Sequence, residues 1–542
     1  MQVKLFRLLI LLFVIFNIGL GSFGLAETSE ARYAEISREM VKSGDYLNPT
    51  LLGIKHYHKP PLTYYITSIG YKIFGINEYG ARFFLGVALI LQIFLVFKIA
   101  RQLLTDDKKA YNAALIYSTF PIVLIAARNL TTDAYLITFI LWSIYLWLKF
   151  KKQNKLLFLY GFFAVMGLAF LTKGPVGIIP SLIFISCYKF YNKEKIKFSI
   201  NIFLGILLMI AISSSWFIEI ILNDSKVWDY FIDEQIVNRA TNAEQFHRTQ
   251  PIWYYLVLAP ALGLPWLLFI ISMSVKKAKK NWQSKDGLNV VLSTAGFLFF
   301  LFSLFSSKLI LYVLPVFPFL AIAGAILLGS VTKTQLKWFT RSYYVLFLIL
   351  IVALIVIPFV PIIQLDLLIN SSLIAIGIGV VVYFWRFSKQ DSASILLQLG
   401  IGFICVLMLF HTAFASKNPG TINSFKEIAA FIKKEKGESL NSLLVYDYLL
   451  PSASFYLNTE IVTISNTNYN TFRETQFEDN LDYQKNLFDI NTTEGLKSLK
   501  TTILEDDQVY IERKKNPLPD SLSYLLSHFT HKVEKDKWIL YY

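Results

Sequence analysis

The sequence predicts a polytopic α-helical membrane protein of about thirteen spans, followed by a soluble α/β domain. Three observations carry this. The 542 residues are 55% hydrophobic and only 16% charged, below the roughly 25% of a soluble domain, and mean hydropathy is +0.50. Apolar runs of about twenty residues, enough to cross a bilayer, recur along the chain. Lysine and arginine fill nearly every alternate gap between those runs, as membrane insertion requires of cytoplasmic loops.

Hydropathy puts the first span at 5–25 and the next at 82–104, 111–127, 134–148, 156–171 and 176–188. Further spans are expected at 198–222, 252–273, 288–306, 309–329, 343–363, 367–385 and 395–414. The stretch 61–74 is shorter and interrupted, and suits a helix lying along the membrane surface. The first run is read as an uncleaved anchor; Gly24 and Ala26 leave a signal peptide as the alternative, and both put the following segment outside.

Lys4 and Arg7 place the N-terminus in the cytoplasm. Alternate gaps repeat the signal: Arg101 with Lys108 and Lys109, Lys149 with Lys151 and Lys152, Lys189 with Lys193, Lys276 with Lys277, Lys333 with Lys337, Arg386 with Lys389. The opposite gaps are then external, as is the C-terminal end. The membrane domain covers 1–414, with large external loops at 26–79 and 223–251, and an extracytoplasmic (periplasmic) domain covers 415–542. In the latter, apolar periodicity predicts a helix at 424–436 and strands at 443–446, 460–464, 508–512 and 538–542.

The formal charge of +15 (52 basic, 37 acidic residues) follows from the positive loops. No basic domain stands apart from the spans, so no nucleic-acid partner is expected. Cys187 and Cys405 both fall in apolar runs, which predicts neither a disulfide nor a metal cluster.

The residues with chemical potential collect in the external gaps. The first loop opens with Glu27, Glu30 and Arg32 on a helical pattern, Thr28 or Ser29 suits its N-cap, and Ala31, Ala34, Ile36 and Met40 form an apolar face expected to lie on the membrane. Then comes His56-Tyr57-His58-Lys59-Pro60-Pro61, where two prolines stiffen the approach to the bilayer. Lys59 at that turn is a phosphate candidate, and the histidines are metal or headgroup candidates. Asp133 opens a span; a carboxylate there is a functional candidate, with helix N-capping the plainer role. Lys173, Lys308 and Tyr312 sit in or after tight outer turns, where snorkelling is the plainer role for the lysines. His247 lies in the second large loop; a solitary histidine there is more often a surface residue than a ligand.

Taken in order, Ser29–Met40, Lys59-Pro60, Asp133, Thr172-Lys173-Gly174, the 230–239 segment, His247-Arg248, Leu264-Pro265-Trp266 and the 308–312 segment resemble the GT-C transferases that use polyprenyl-phosphate sugars. The closest branch contains the bacterial aminoarabinose transferase of lipid A and the protein O-mannosyltransferase-like enzymes. Two positions depart from the family pattern: Ser29 stands where the family has aspartate, and His58 where the aminoarabinose branch has glutamate.

The resemblance implies a glycosyltransferase (pentosyl or hexosyl) of the bacterial inner membrane, working at its outer face. The donor is a sugar on a polyprenyl-phosphate carrier; the acceptor is a lipid, glycan or protein. No nucleotide cofactor is expected, because nucleotide sugars stay in the cytoplasm. Within it, Glu30, Asp133 and Glu27 are the catalytic candidates. Lys59, Arg32, Lys173, Lys308 and Tyr312 are candidates for the donor phosphate, and His58 with His247 for a divalent metal ion. A transporter or flippase of lipid-linked or small-molecule cargo is the alternative; paired repeats and midplane sites, which such proteins carry, are not visible in the sequence.

Overall fold

The structure is a computed structural model of the full chain, and it describes residues 2–195, 198–231, 249–278, 287–386, 392–437, 440–466, 471, 473–505 and 507–542. It divides into two compact units. The first comprises Met1–Leu20, Arg82–Phe217 and Asp233–Lys417; the second comprises Gly21–Ala81, Ile218–Ile232 and Asn418–Tyr542.

The regular elements among the first unit's described residues are helices. Among the described residues, eight helices are long and apolar enough to span a bilayer, or up to ten if each of two bent pairs is one span. The bent pairs are Asp107–Ser118 with Pro121–Arg128, at 62°, and Tyr254–Gly263 with Trp266–Lys276, at 106°. Pro121 and Pro265 explain the breaks: neither can donate the backbone bond that would continue the preceding helix. Ile179–Tyr191, Leu288–Leu304 and Gln2–Asn17 are shorter. Each of the thirteen expected segments therefore contains a helix or a bent pair, though fewer reach full spanning length than hydropathy predicts. The helix within Ile310–Leu328 is almost wholly buried, whereas Lys333–Phe359 and Leu367–Arg386 leave most side chains on the outside. Leu348, Ile349, Leu367 and Leu368 are among those outward apolar residues, the surface expected of helices solvated by lipid.

Two buried arginines close the first helix. Arg128 Nη1 donates to the carbonyls of Phe16 (3.3 Å) and Ile18 (3.1 Å), and Arg82 Nη1 to that of Leu20 (2.8 Å). They satisfy carbonyls that have no intrahelical partner and lie at the negative end of the helix dipole.

The second unit is built on a six-stranded sheet. Its strands are β3 (Ser442–Tyr446), β4 (Glu460–Ser465), β5 (Leu487–Asp489), β6 (Gln508–Arg513), β7 (Lys532–Lys535) and β8 (Trp538–Tyr541), in spatial order β5-β4-β3-β6-β8-β7. The first four are parallel and the last two antiparallel. Both faces are covered, so β3 is buried throughout (Ser-Leu-Leu-Val-Tyr) rather than alternating. β1 (Thr50–Leu51) and β2 (Ile54–Lys55) form a separate hairpin, and its two turn residues, Leu52 and Gly53, have φ of 53° and 73°, the left-handed pair of a type I′ turn.

The helix Ser29–Ser43 packs in this unit. Ile36 and Met40 join one core cluster with Phe425, Ile428, Leu443 and Trp538. The apolar face expected to lie on the membrane is thus spent on the protein's own sheet domain. Thr28 occupies the N-cap position without a side-chain cap bond. The segment before the helix is tied to the same domain: Ala26 bridges Ser424, and Glu27 N donates to the Asn423 carbonyl at 2.8 Å.

Candidate functional site

Asp133, Lys173 and Tyr312 converge within the first unit. Asp133 stands in the first turn of helix Thr132–Gln153. Lys173 ends helix Leu156–Lys173, where Gly174 at φ 69° turns the chain. The Lys173 ammonium donates to Asp133 Oδ1 at 2.6 Å and lies 3.9 Å from the Tyr312 ring centroid. Both side chains of the ion pair are about nine-tenths buried. A pair so desolvated persists only with good geometry, and the ring adds a cation–π contact. Lys308 is also buried, but its ammonium donates to the Gln250 carbonyl at 2.7 Å. The backbone pairing of Thr249 with Ser307 holds that turn.

The other described candidates belong to the second unit. Glu30 is buried and its Oε2 accepts from Ala26 N at 2.9 Å, closing the start of its own helix. Glu27 Oε1 accepts from Ser452 N at 2.9 Å, while Oε2 is buried without a hydrogen-bond partner. Burial drives the Glu27 carboxyl up to about 7, against the opposing pull of the Ser452 bonds and the Arg32 charge. Arg32 is half-buried, with its Nε enclosed and unbonded. Lys59 is half-buried just ahead of helix Leu62–Phe74.

His58 is held by a residue that sequence reasoning missed. Its Nε2 contacts Glu474 Oε1, and its ring lies 4.1 Å from that of His56 and stacks on Tyr230 at 6.2 Å. His56 Nδ1 is 3.4 Å from Glu474 Oε2, and the Tyr230 hydroxyl donates to Glu474 Oε1 at 3.2 Å. Glu474 is 1% exposed. His56, His58 and Glu474 each offer a ligand atom, all within 4.8 Å of one another. Burial lowers the His56 pKa despite the carboxylate beside it, which favours the neutral, ligating imidazole. Arg473, also buried, donates to the carbonyl of Leu51 and, at 3.3 Å, to Thr463 Oγ1. Glu474 follows His58 by more than four hundred residues, and no local spacing could have linked them. His247 and Arg248 lie outside the described residues, as does the rest of 232–248.

Comparison with known proteins agrees with the sequence motifs. Residues 58–218 match the family model "Dolichyl-phosphate-mannose-protein mannosyltransferase". An undecaprenyl phosphate-alpha-4-amino-4-deoxy-L-arabinose arabinosyl transferase of Edwardsiella ictaluri is 31% identical over 328 residues, 59% of this chain and 58% of that protein. One from Pseudomonas fluorescens is 29% identical over 328 residues, 58% of this chain and 54% of its own length. The chain spans between 54% and 66% of the curated relatives it matches. Among solved structures, ArnT from Cupriavidus metallidurans superposes with a TM-score of 0.77 in the apo state and 0.78 bound to undecaprenyl phosphate. Both matches are 20% identical and cover 100% of this chain and 97% of the other. The resemblance read from the motifs is borne out: this is a multi-pass membrane protein with the GT-C fold of ArnT, similar in sequence to the polyprenyl-phosphate-dependent transferases.

Proposed function

We propose that the chain is an integral membrane glycosyltransferase that moves a sugar from a polyprenyl-phosphate carrier to an extracytoplasmic lipid, glycan or protein acceptor. The observation that carries this reading is the buried Lys173–Asp133 pair beneath Tyr312, in which three residues selected from sequence meet. In the reaction, the bond between the anomeric carbon and the carrier phosphate breaks. A bond from that carbon to an acceptor oxygen forms, the acceptor proton passes to a carboxylate, and the carrier leaves as a phosphate monoester.

Asp133 suits the proton acceptor, a role worth about 10²–10⁴-fold in rate. As it takes the proton, its hold on Lys173 weakens, and the ammonium becomes available to the charge growing on the leaving phosphate. Lys59 and Arg32 are further phosphate candidates, and Glu30 a further carboxylate. Glu27, turned to Ser452, is better suited to holding the segment before Ser29–Ser43. The arabinosyl transfer named for the relatives supports a pentose over a hexose, and the relatives and the alternation of basic loops support a bacterial inner membrane with the N-terminus inside.

His56, His58 and Glu474 form the donor set for a divalent ion that the reading includes. The buried His56 Nε2 and Glu474 Oε2 have no hydrogen-bond partner, and two imidazoles with a carboxylate suit zinc. Bound there, such an ion would supply a fixed positive charge.

The test is lipid and glycan mass spectrometry of cells lacking the protein, complemented with parent, Lys173→Ala or Asp133→Asn. Accumulation of a lipid-linked sugar, relieved by the parent and not by either variant, is expected. Full relief by both folded variants would remove the assigned pair, and no accumulation at all would remove the transferase.

A further inference from the structure

Within the second unit, a cleft of about 380 Å³ opens between the helix Ser29–Ser43, the β1–β2 turn and the edge of the sheet domain. The volume lies within the range of small-ligand sites. Its walls carry both signs of charge: Arg38, Lys42 and Lys485 supply donors, and Glu39 and Glu460 supply acceptors. The side-chain amides of Asn458 and Asn486 line it as well.

The walls are organised rather than loose. Arg38 is buried and bound to Glu35 at 2.6 Å, and its guanidinium also donates to Ser454 Oγ at 2.7 Å and Asn458 Oδ1 at 3.2 Å. Lys42 donates to the same Asn458 oxygen. The Glu39 carboxylate accepts from Thr50 Oγ1 at 2.5 Å and Leu52 N at 2.6 Å, which fixes the turn that roofs the cleft. Gly53 is required there, since a side chain at φ 73° would be strained and its Cβ would sit 2.5 Å from Asn486 Nδ2.

This lining selects among ligands. A bare phosphate would meet the exposed Glu460 carboxylate, and an apolar chain would strand many polar groups. A polyhydroxylated ring uses donors and acceptors together, which suits a lining of mixed charge and polar groups. We propose that the cleft is a saccharide-binding site taking one or two rings. Its use for the acceptor's glycan rests on the transferase reading; saccharide binding itself does not.

The test uses the detergent-solubilised full chain on an array of mono- to tetrasaccharides, followed by saturation-transfer NMR with each sugar that is retained. Lys42→Ala combined with Lys485→Ala alters two exposed side chains and should leave the unfolding temperature unchanged. Retention by the parent, weakened about tenfold or more in the double variant, is expected. An array without retained sugars, equal binding by parent and variant, or binding of inorganic phosphate in place of sugar overturns the inference. In a transfer assay the double variant should raise the acceptor KM and leave kcat unchanged. Sugar binding without any transfer would sink the transferase reading and leave the cleft's assignment intact.

Discussion

Asp133 and Lys173 show how one ion pair can serve both structure and chemistry. Each is buried, so removing one partner leaves the other charge stranded, at a cost of about 3–5 kcal/mol. Lys173→Ala and Asp133→Asn are therefore both expected to lower the unfolding temperature, and Asp133→Asn should in addition reduce transfer by about 10²-fold or more. Thermal scans beside the transfer assay separate the two effects. Glu27 makes a different prediction. Its carboxyl titrates near 7 in the fold and near 4.5 when unfolded, so between those values the folded state keeps a proton that the unfolded chain has lost. Stability from this group then falls as pH rises through that window, by on the order of 3 kcal/mol in total. Glu39, also raised to about 7 by burial and by Glu35, acts in the same direction. His56, lowered by burial, opposes both, because the unfolded chain protonates it first as pH falls. The difference between the parent and Glu27→Gln isolates Glu27: Glu27→Gln should gain relative stability as pH climbs from about 4.5 to 7, and parallel profiles would refute the assignment.

The elements were legible to unequal degrees. Long apolar runs left little freedom, and each of the thirteen anticipated spans contains a helix or a bent pair. Strands β3, β4, β6 and β8 were anticipated to within one or two residues because β-branched and aromatic residues cluster in them. β7 (Lys-Val-Glu-Lys) and the three-residue β5 carry no such pattern; they are edge strands, ordered by their neighbours rather than by burial of their own. The helix Ser29–Ser43 was anticipated, but its surroundings were not, because amphipathic periodicity reports that a face is covered without reporting by what. Ile36 is completely buried in the second unit's core. Ile36→Ala should cost about 2–5 kcal/mol, seen as a lower unfolding temperature of the purified chain.

At the scale of the whole molecule, the residues with chemical potential were unevenly readable. Asp133, Lys173 and Tyr312 stood out because charge beside a bilayer is expensive and needs a partner. Glu474 was invisible because what makes it notable is a neighbour on a distant stretch of chain. With His56, His58 and Glu474 as ligands, elemental analysis of the purified protein should find about one metal atom per chain, and Glu474→Gln should lower that content. Sidedness offers a second check. A cysteine at the exposed Lys485 should react with a membrane-impermeant maleimide added to spheroplasts, and labelling only after lysis would reverse the orientation.

The second unit is assembled from stretches that end at Ala81, begin again at Ile218 and resume at Asn418. More than three hundred residues must be synthesised between the first stretch and the last. At about 5–20 residues per second, that delay is roughly twenty seconds to a minute. Throughout it Ile36 and Met40 have no sheet to pack on, so the newborn first loop is exposed to chaperones and proteases for the whole interval. Shortening the chain from its far end would make that vulnerability permanent, and loss of the protein is what such a truncation should report.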